Sequence, residues 1–287
     1  MNIKKLIERL LIFFVGLPLI VGIVVFFPHY HHLAVNCIVV LVSSLGALEF
    51  SWLISKKHYS LPTWEALVLG ALAPAASTLS VSFGVPGEMV AASFIFGATW
   101  LISSRIFSSQ KEIELTIDRI TSGLSVMIYP GLFLIWLIRL TLLPHPTVVL
   151  LTFLLMVFGN DSLAWAIGMT LGNGNRGLIP ASPNKSVAGF IGGLLTSLGI
   201  GIGAVLLFPA AFVPRNLPSL GAGALLGLGT GIMAIIGDLA ESTMKRSSSV
   251  KDSGGLIPGR GGILDSIDSL VLAAPVYYAL YWILFSI

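Results

Sequence analysis

Acidic side chains are unusually frequent near the C-terminal end of this sequence, in the stretch 237–269. Asp238 and Ser242 are four residues apart, so in a helix they lie on one face. Asp265 and Asp268 are three apart, and in a helix their carboxylates point the same way. Converging carboxylates repel one another unless a cation lies among them, and oxygen ligands of this kind suit magnesium. The spacing predicts a magnesium site, although solvated charges at helix ends are the alternative.

Basic residues accompany these carboxylates around a glycine-rich turn, GGLIPGRGG, at 254–262. They are Lys245, Arg246, Lys251 and Arg260. Lys245 follows Glu241 by four residues, which predicts an ion pair within one helix. Glycines allow close approach of the backbone and can expose amides to oxyanions. The turn matches neither a Walker A loop nor a dinucleotide fingerprint. Together with the cations it predicts a multiply phosphorylated ligand, held in part at Gly261 and Gly262.

A second polar group lies between residues 158 and 193. Asn160 and Asp161 fall inside an apolar run, where an unpaired carboxylate is costly. One interpretation is a hydrogen-bonded tie between helices; the other is a polar stripe that leads from Asp161 to a loop with Ser182 and Lys185. The loop precedes an apolar segment, and the N-terminal dipole of a helix there would favour an anion.

These groups must be positioned by apolar elements, because the chain has 287 residues, is 55% hydrophobic and only 10% charged. Soluble domains are typically about 25% charged. Long continuous apolar runs predict an all-α polytopic membrane protein rather than a β-barrel. Cys37 is the only cysteine, which excludes a disulfide framework and a cysteine metal site. The net charge of +3 is explained by the asymmetry of the loops, and we expect no nucleic-acid partner.

About nine transmembrane helices are predicted from runs of roughly 20 residues. They cover 10–27, 33–54, 64–83, 87–104, 120–142, 147–171, 187–213, 219–243 and 264–286. With the N-terminus in the cytoplasm, 14 Lys and Arg residues fall on that side and two on the other, which places the C-terminus opposite. The polar loops 172–186 and 245–263 are then both cytoplasmic. We expect an N-terminal region of about five helices, 1–143, and a catalytic region of about four, 144–287.

Three further features allow two interpretations each. Glu49 lies in or near the membrane and serves either interfacial packing or support of the site. His29, His31 and His32 form either an interfacial loop, which we favour, or a metal cluster. The small residues of the span 219–243 indicate close helix packing, which is compatible with a ligand path lined by backbone.

The two polar groups resemble the signatures of the phosphatidate cytidylyltransferases, also called CDP-diacylglycerol synthases. The downstream signature is similar to S-x-x-KR-x4-KD-x5-PGHGG-x2-DR-x-D. The matching residues are Ser242, Lys245, Arg246, Lys251, Asp252, Pro258, Gly259, Gly261, Gly262, Asp265 and Asp268. The upstream pattern is matched by Asp161, Ser162, Ser182, Pro183, Lys185, Ser186, Gly189, Gly192 and Gly193. Arg260 stands where the family usually has histidine, and Ser266 where it usually has arginine.

The resemblance implies transfer of CMP from CTP to phosphatidic acid at the cytoplasmic face of a bacterial inner membrane, with Mg²⁺ and an optional second cation. Asp238 and Asp265 are then the principal metal ligands, with Asp268 and Asp161 as weaker candidates. Catalysis is assigned to Asp265, Asp238, Lys245, Arg246 and Lys251. Substrate binding is assigned to Lys185, Ser182, Arg260, Gly261, Gly262, Ser242 and Asp161.

Other functions remain open at this point. A different membrane lipid phosphate would serve as the acceptor with the same motifs. CDP-alcohol phosphotransferases also gather aspartates at a membrane face, but their DG-x2-AR-x8-G-x3-D-x3-D spacing is absent. An ion-coupled transporter would use intramembrane Asp161 and Asp238 as ion sites. The glycine-rich helix faces are compatible with a homodimer.

Overall fold

The computed structural model describes residues 15–257, 259 and 261–286, and every regular element in those ranges is a helix. Eleven α-helices follow one another in the chain. They are α1 (Leu17–Phe26), α2 (His29–Ile54), α3 (Thr63–Phe83), α4 (Glu88–Ser103), α5 (Gln110–Glu114), α6 (Thr116–Val126), α7 (Ile135–Arg139), α8 (Pro146–Thr170), α9 (Val187–Leu207), α10 (Ser219–Ser247) and α11 (Leu264–Leu284). A π-helical turn at Met127–Leu132 joins α6 to α7, and a 3₁₀ turn at Leu140–Leu142 follows α7.

Seven helices or helical runs of the described residues are long and apolar enough to cross a membrane, with Thr116–Leu142 counted as one run. Two further apolar helices are shorter, α1 with 10 residues and α4 with 16. Large apolar side chains remain exposed on the long helices, for example Leu195 (60%) and Ile283 (64%), as expected of surfaces in contact with lipid. The protein is therefore an all-α multi-pass membrane protein.

The helices lie where hydrophobicity predicts them, with instructive differences at the ends. The predicted span 10–27 begins among residues outside the described part, and α1 covers its remainder. At the start of α2, His31 and His32 have φ of 52° and 56°, so the regular helix begins after them. The predicted span 187–213 is too long: α9 ends at Leu207, because a residue before proline disfavours helical backbone and Pro209 follows Phe208.

The described residues form two compact units. One consists of the chain up to Arg139 together with Ser247–Ile267, and the other of Leu140–Arg246 together with the residues from Asp268 onward. The long helices α10 and α11 each contribute to both.

In the first unit, α2 and α3 approach each other closely at Gly70. A Cβ on Gly70 would lie 2.2 Å from the Cβ of Ala47, so only glycine allows this spacing. Ser43 Oγ lies 2.8 Å from the carbonyl oxygens of both Gly70 and Pro130. The same unit contains a buried ion pair between Glu65 and Arg119, each with 2% of its side chain exposed.

In the second unit, glycines bring α9 and α10 together. A Cβ on Gly223 would lie 2.5 Å from Gly201 O, and one on Gly227 would lie 2.2 Å from Ser197 O. Asn160 of α8 is fully buried and donates from Nδ2 to Ser197 Oγ at 3.0 Å. The small residues of α10 therefore serve close packing, and Asn160 is a hydrogen-bonded tie between helices.

Candidate active site

Lys185 and Asp238 form an ion pair in the second unit. Lys185 lies at the end of the loop before α9, and a hydrogen bond from Val187 N to Asn175 O (3.1 Å) closes this loop at its base. Ser186 caps α9, since its hydroxyl accepts from Gly189 N at 3.1 Å. The cap fixes the backbone next to Lys185, so its ammonium is held against α10. The side chains of the pair are 25% and 30% exposed, so the site is open to a solute.

The loop that carries Lys185 also contacts the C-terminal end of α10. Arg246 Nε donates to Ala181 O at 3.2 Å, and Lys185 N donates to Ser182 O at 3.2 Å. Ser182 and Lys185 thus lie beside the start of α9, as the sequence predicts, with Arg246 next to them. This arrangement gathers cations and a hydroxyl group around one end of the second unit.

Three of the predicted carboxylates lie close together in this unit. Ser269 Oγ donates to Asp161 Oδ2 at 3.1 Å, which joins α8 to α11. Asp268 is buried and interacts electrostatically with Asp161, Asp238 and Glu241. The backbones of α10 and α11 approach closely here, since a Cβ on Gly237 would lie only 2.5 Å from Asp268 O.

Three further predicted residues lie on α10 or just after it. Lys245 forms an ion pair with Glu241, as the four-residue spacing predicts. Ser242 is half-buried. Lys251, in the segment that follows α10, is exposed. An exposed lysine beyond the helix is available to a charged ligand.

Asp265 belongs to the first unit and lies at the second residue of α11. Its Oδ2 accepts three hydrogen bonds: from Gly262 N at 2.7 Å, from Ser253 N at 2.9 Å and from Ser253 Oγ at 2.9 Å. Three donors on one oxygen stabilise the ionised carboxylate and fix its orientation. Sequence reasoning did not single out Ser253, because serines are frequent in this region and its spacing from Asp265 has no helical meaning.

The glycine-rich turn has a different role from the one expected of it. Ile257 and Gly261 exchange two backbone hydrogen bonds, and Gly261 has a φ of 111°, which favours glycine. The amides of Gly261 and Gly262 donate to Ile257 O and Asp265 Oδ2, so the expected exposure of these amides to a phosphate is not found. Pro258 and Arg260, which the sequence also places in the turn, lie outside the described residues.

Glu49 of α2 accounts for two more amides of the same region. It accepts from Ile263 N at 3.0 Å and from Leu264 N at 2.8 Å. The sequence left Glu49 undecided between packing and support of the site. Its contacts favour the second interpretation.

Magnesium, which the sequence predicts, is a hard cation that takes oxygen ligands. The carboxylates of Asp161, Asp238 and Asp268 fit it in chemical kind, because they offer only oxygen donors and Asp268 interacts electrostatically with the other two. Within the described ranges, no group of three or more His, Cys, Asp or Glu side chains is arranged to hold a metal ion. In the structure the Lys185 ammonium lies against Asp238, where it supplies a positive charge.

Comparison with known proteins extends the resemblance from the motifs to the whole chain. Residues 7–284 match the model of the cytidylyltransferase family. A phosphatidate cytidylyltransferase of Synechocystis sp. is 44% identical over 46% of this chain and 43% of its own length. One of Haemophilus influenzae is 39% identical over 48% of this chain and 47% of its own length.

A longer alignment, with a phosphatidate cytidylyltransferase of Chlamydia pneumoniae, gives 32% identity over 85% of this chain and 81% of the relative. The alignments with the first two relatives thus cover less than half of the length of those proteins, whereas the family match spans nearly the whole chain. The chain belongs to the cytidylyltransferase family.

Proposed function

We propose that this protein is a phosphatidate cytidylyltransferase, which transfers CMP from CTP to phosphatidic acid and forms CDP-diacylglycerol and pyrophosphate. The observation that carries the proposal is the ion pair between Lys185 and Asp238. It joins one residue from each of the two polar groups, 158–193 and 237–269, within one unit. The names of the relatives support the choice of CTP and phosphatidate as substrates.

In this reaction an anionic oxygen of the lipid phosphate attacks the α-phosphorus of CTP. The new P–O bond forms as the bond from that phosphorus to the oxygen bridging to the β-phosphate breaks, and the bridging oxygen keeps the electron pair and leaves with pyrophosphate. The attacking phosphate is already ionised near pH 7, so little general-base help is needed. The main task is to hold two anions in line and to offset their repulsion.

The basic residues suit this task. Lys185 belongs to the loop before α9 and pairs with Asp238 of α10, and Arg246 of α10 donates to Ala181 O of the same loop. Both cations can therefore hold phosphate groups beside this loop. Lys245, Lys251 and Arg260 are proposed to act with them. The other proposed substrate-binding residues are Ser182, Ser242, Asp161, Gly261 and Gly262.

Magnesium is proposed as the cofactor, with Asp238, Asp265 and Asp268 as the residues that would hold it. A bound Mg²⁺ would supply charge neutralisation at the phosphates. The protein itself orients the carboxylates, through the Lys185 pair at Asp238 and the three donors at Asp265.

The membrane arrangement is also part of the proposal. We propose nine spans, with α1 and α4 as the shorter ones, an N-terminus in the cytoplasm and a C-terminus on the opposite side, as the charge asymmetry of the loops favours. The loops 172–186 and 245–263 then place the reaction at the cytoplasmic face, in a bacterial inner membrane. Region 144–287 is the proposed catalytic part, and a homodimer is compatible with the glycine-rich faces.

The deciding experiment follows CTP labelled in its α-phosphate and cytidine, with purified protein, magnesium and phosphatidic acid in mixed micelles. We expect label in a CDP-lipid, with one pyrophosphate released for each lipid formed. Label transfer to another lipid phosphate but not to phosphatidic acid would replace the acceptor in the proposal. No transfer to any lipid phosphate from folded protein would refute it and favour the transporter interpretation, which predicts ion flux without CTP turnover.

A further inference from the structure

Glu49 is a buried carboxylate that lies far along the chain from both sequence motifs. Only 6% of it is exposed. Its Oε1 accepts from Ile263 N at 3.0 Å, while its Oε2 accepts from Leu264 N at 2.8 Å and lies 3.1 Å from Ser253 Oγ. The two amides belong to the first turn of α11 and the residue before it. Glu49 therefore caps this helix from another part of the first unit, since the first amides of a helix have no partner within it.

Ser253 connects Glu49 to Asp265. Its hydroxyl lies 3.1 Å from Glu49 Oε2 and 2.9 Å from Asp265 Oδ2, and it accepts from Asp265 N at 3.3 Å. A serine hydroxyl has one proton, so it donates to one of the two carboxylates at a time. Ser253 is therefore shared between Glu49 and Asp265.

Two glycines make room for the Glu49 carboxylate. A Cβ on Gly254 would lie 2.3 Å from Glu49 Oε1, and a Cβ on Gly262 would lie 2.2 Å from Glu49 Oε2. A side chain at either position would displace the Glu49 carboxylate. The absence of side chains at these two glycines therefore leaves space for a carboxylate of the protein itself.

We propose that Glu49 is a positioning residue for the reaction: it fixes the start of α11 and Ser253, and through them it orients the carboxylate of Asp265. The proposal rests on the function proposed above and on the assignment of Asp265 to magnesium. Glu49 itself touches neither substrate nor metal in this scheme. Hydrogen-bond partners behind a metal ligand typically contribute about 10- to 100-fold to metal affinity or activity.

The test compares Glu49→Gln, Glu49→Asp and Glu49→Ala with the unmodified protein. Glutamine keeps the size but presents an amide NH₂ to one of the backbone donors. We expect turnover to fall by about 10- to 100-fold and the magnesium concentration for half-maximal activity to rise, with aspartate closer to the unmodified protein than alanine. In the Asp265→Asn background, Glu49→Gln is expected to have little further effect, because both changes act on the same group.

A matched control is Glu65→Gln, which alters another buried carboxylate of the same unit. Glu65 contacts Arg119 and Trp100 instead of the turn. This variant is expected to lose thermal stability but to keep the magnesium dependence of the unmodified protein. If Glu49→Gln and Glu49→Ala behave like Glu65→Gln, Glu49 is only structural and the proposal is wrong.

Two measurements do not depend on turnover. Hydrogen exchange of the peptide that contains Ile263 and Leu264 should accelerate in Glu49→Ala while the second unit keeps its protection. The rise in melting temperature that magnesium produces should shrink in the same variant. If the unmodified protein transfers no CMP but shows this magnesium effect and Glu49→Ala reduces it, the proposed function fails, whereas the part of the proposal in which Glu49 orients Asp265 for magnesium stands. If magnesium has no effect on either protein, the role of Glu49 fails.

Discussion

The ammonium of Lys185 pairs with the carboxylate of Asp238 across 53 residues of sequence. The pair connects the loop before α9 to α10. The ammonium offsets the charge of a carboxylate that we propose as a magnesium ligand, and it also offers a positive charge to the phosphates of a nucleotide.

We expect Lys185→Ala to lower turnover by about 10²- to 10³-fold, in the range known for removing one stabilising donor from a reacting anion. The loss should appear in both kcat and KM for CTP, because the ammonium is proposed to bind the nucleotide and to stabilise the transition state. Steady-state kinetics in mixed micelles measure both quantities. Lys56→Ala is the control, since Lys56 lies over the ring of Trp52 at 4.1 Å and away from either motif. Equal kinetics for both variants would contradict the role of Lys185.

Asp238→Asn and Asp265→Asn should each abolish most turnover and leave detergent-stable protein. Asparagine at 265 can place its carbonyl oxygen where Oδ2 accepts its three hydrogen bonds, so the turn is expected to persist. Asp118→Asn provides the comparison, because Asp118 is about half exposed (48%) and lies 3.7 Å from His58. Normal turnover in both motif variants would rule out the metal assignment.

Gly262→Ala tests the space around Glu49. The new methyl group would lie 2.2 Å from Glu49 Oε2 and 2.3 Å from Ser253 Oγ. We expect a loss of about 1–3 kcal/mol in stability, as for other overpacked sites, together with reduced turnover. Gly255→Ala should change neither, since a Cβ on Gly255 would meet nothing within 4 Å. Thermal melting and the CTP assay on both variants measure these effects. Equal behaviour of the two variants would argue against a tightly filled space around the Glu49 carboxylate.

Arg260→His brings position 260 to the residue usual in the family, and Ser266→Arg does the same at 266. If a cation is needed near the phosphates but its position is flexible, the double variant should be active and Arg260→His alone should be weaker. Michaelis constants for CTP would measure the difference. Total loss in the single variant and recovery in the double variant would show that the permanent charge at 260 replaces the arginine usual at 266. Inactivity of the double variant would exclude this exchange.

Much of the helical arrangement was predictable, because each span is a long apolar run and its ends carry polar residues. The end of α9 was misjudged because Pro209 interrupts a run that remains apolar up to Val213. Hydrophobicity alone does not show where a proline ends a helix. The ion pair of Glu241 and Lys245 was predicted because helical periodicity relates residues four apart.

The connections between distant segments were not predictable in the same way. Lys185 and Asp238 were both singled out for charge and motif, yet nothing in their spacing indicates that they pair. Glu49 and Ser253 are 204 residues apart and contact each other only because α2 packs beside the turn. The sequence of a glycine-rich turn is also equally compatible with two roles. Its amides can bind a phosphate, or its glycines can leave space for a buried carboxylate. Only the direction of the amides distinguishes them.

The contact between Glu49 and α11 also has a consequence for the order in which the protein is made. Leu264 lies 215 residues after Glu49, and chains are synthesised at about 5–20 residues per second, so on the order of 10–40 s pass before the partner amides exist. During that interval α2 carries a carboxylate without the donors that it has in the finished protein. A ribosome-bound chain that stops before residue 253 therefore lacks every hydrogen-bond donor of Glu49 named above, and the capped turn forms only as α11 is translated.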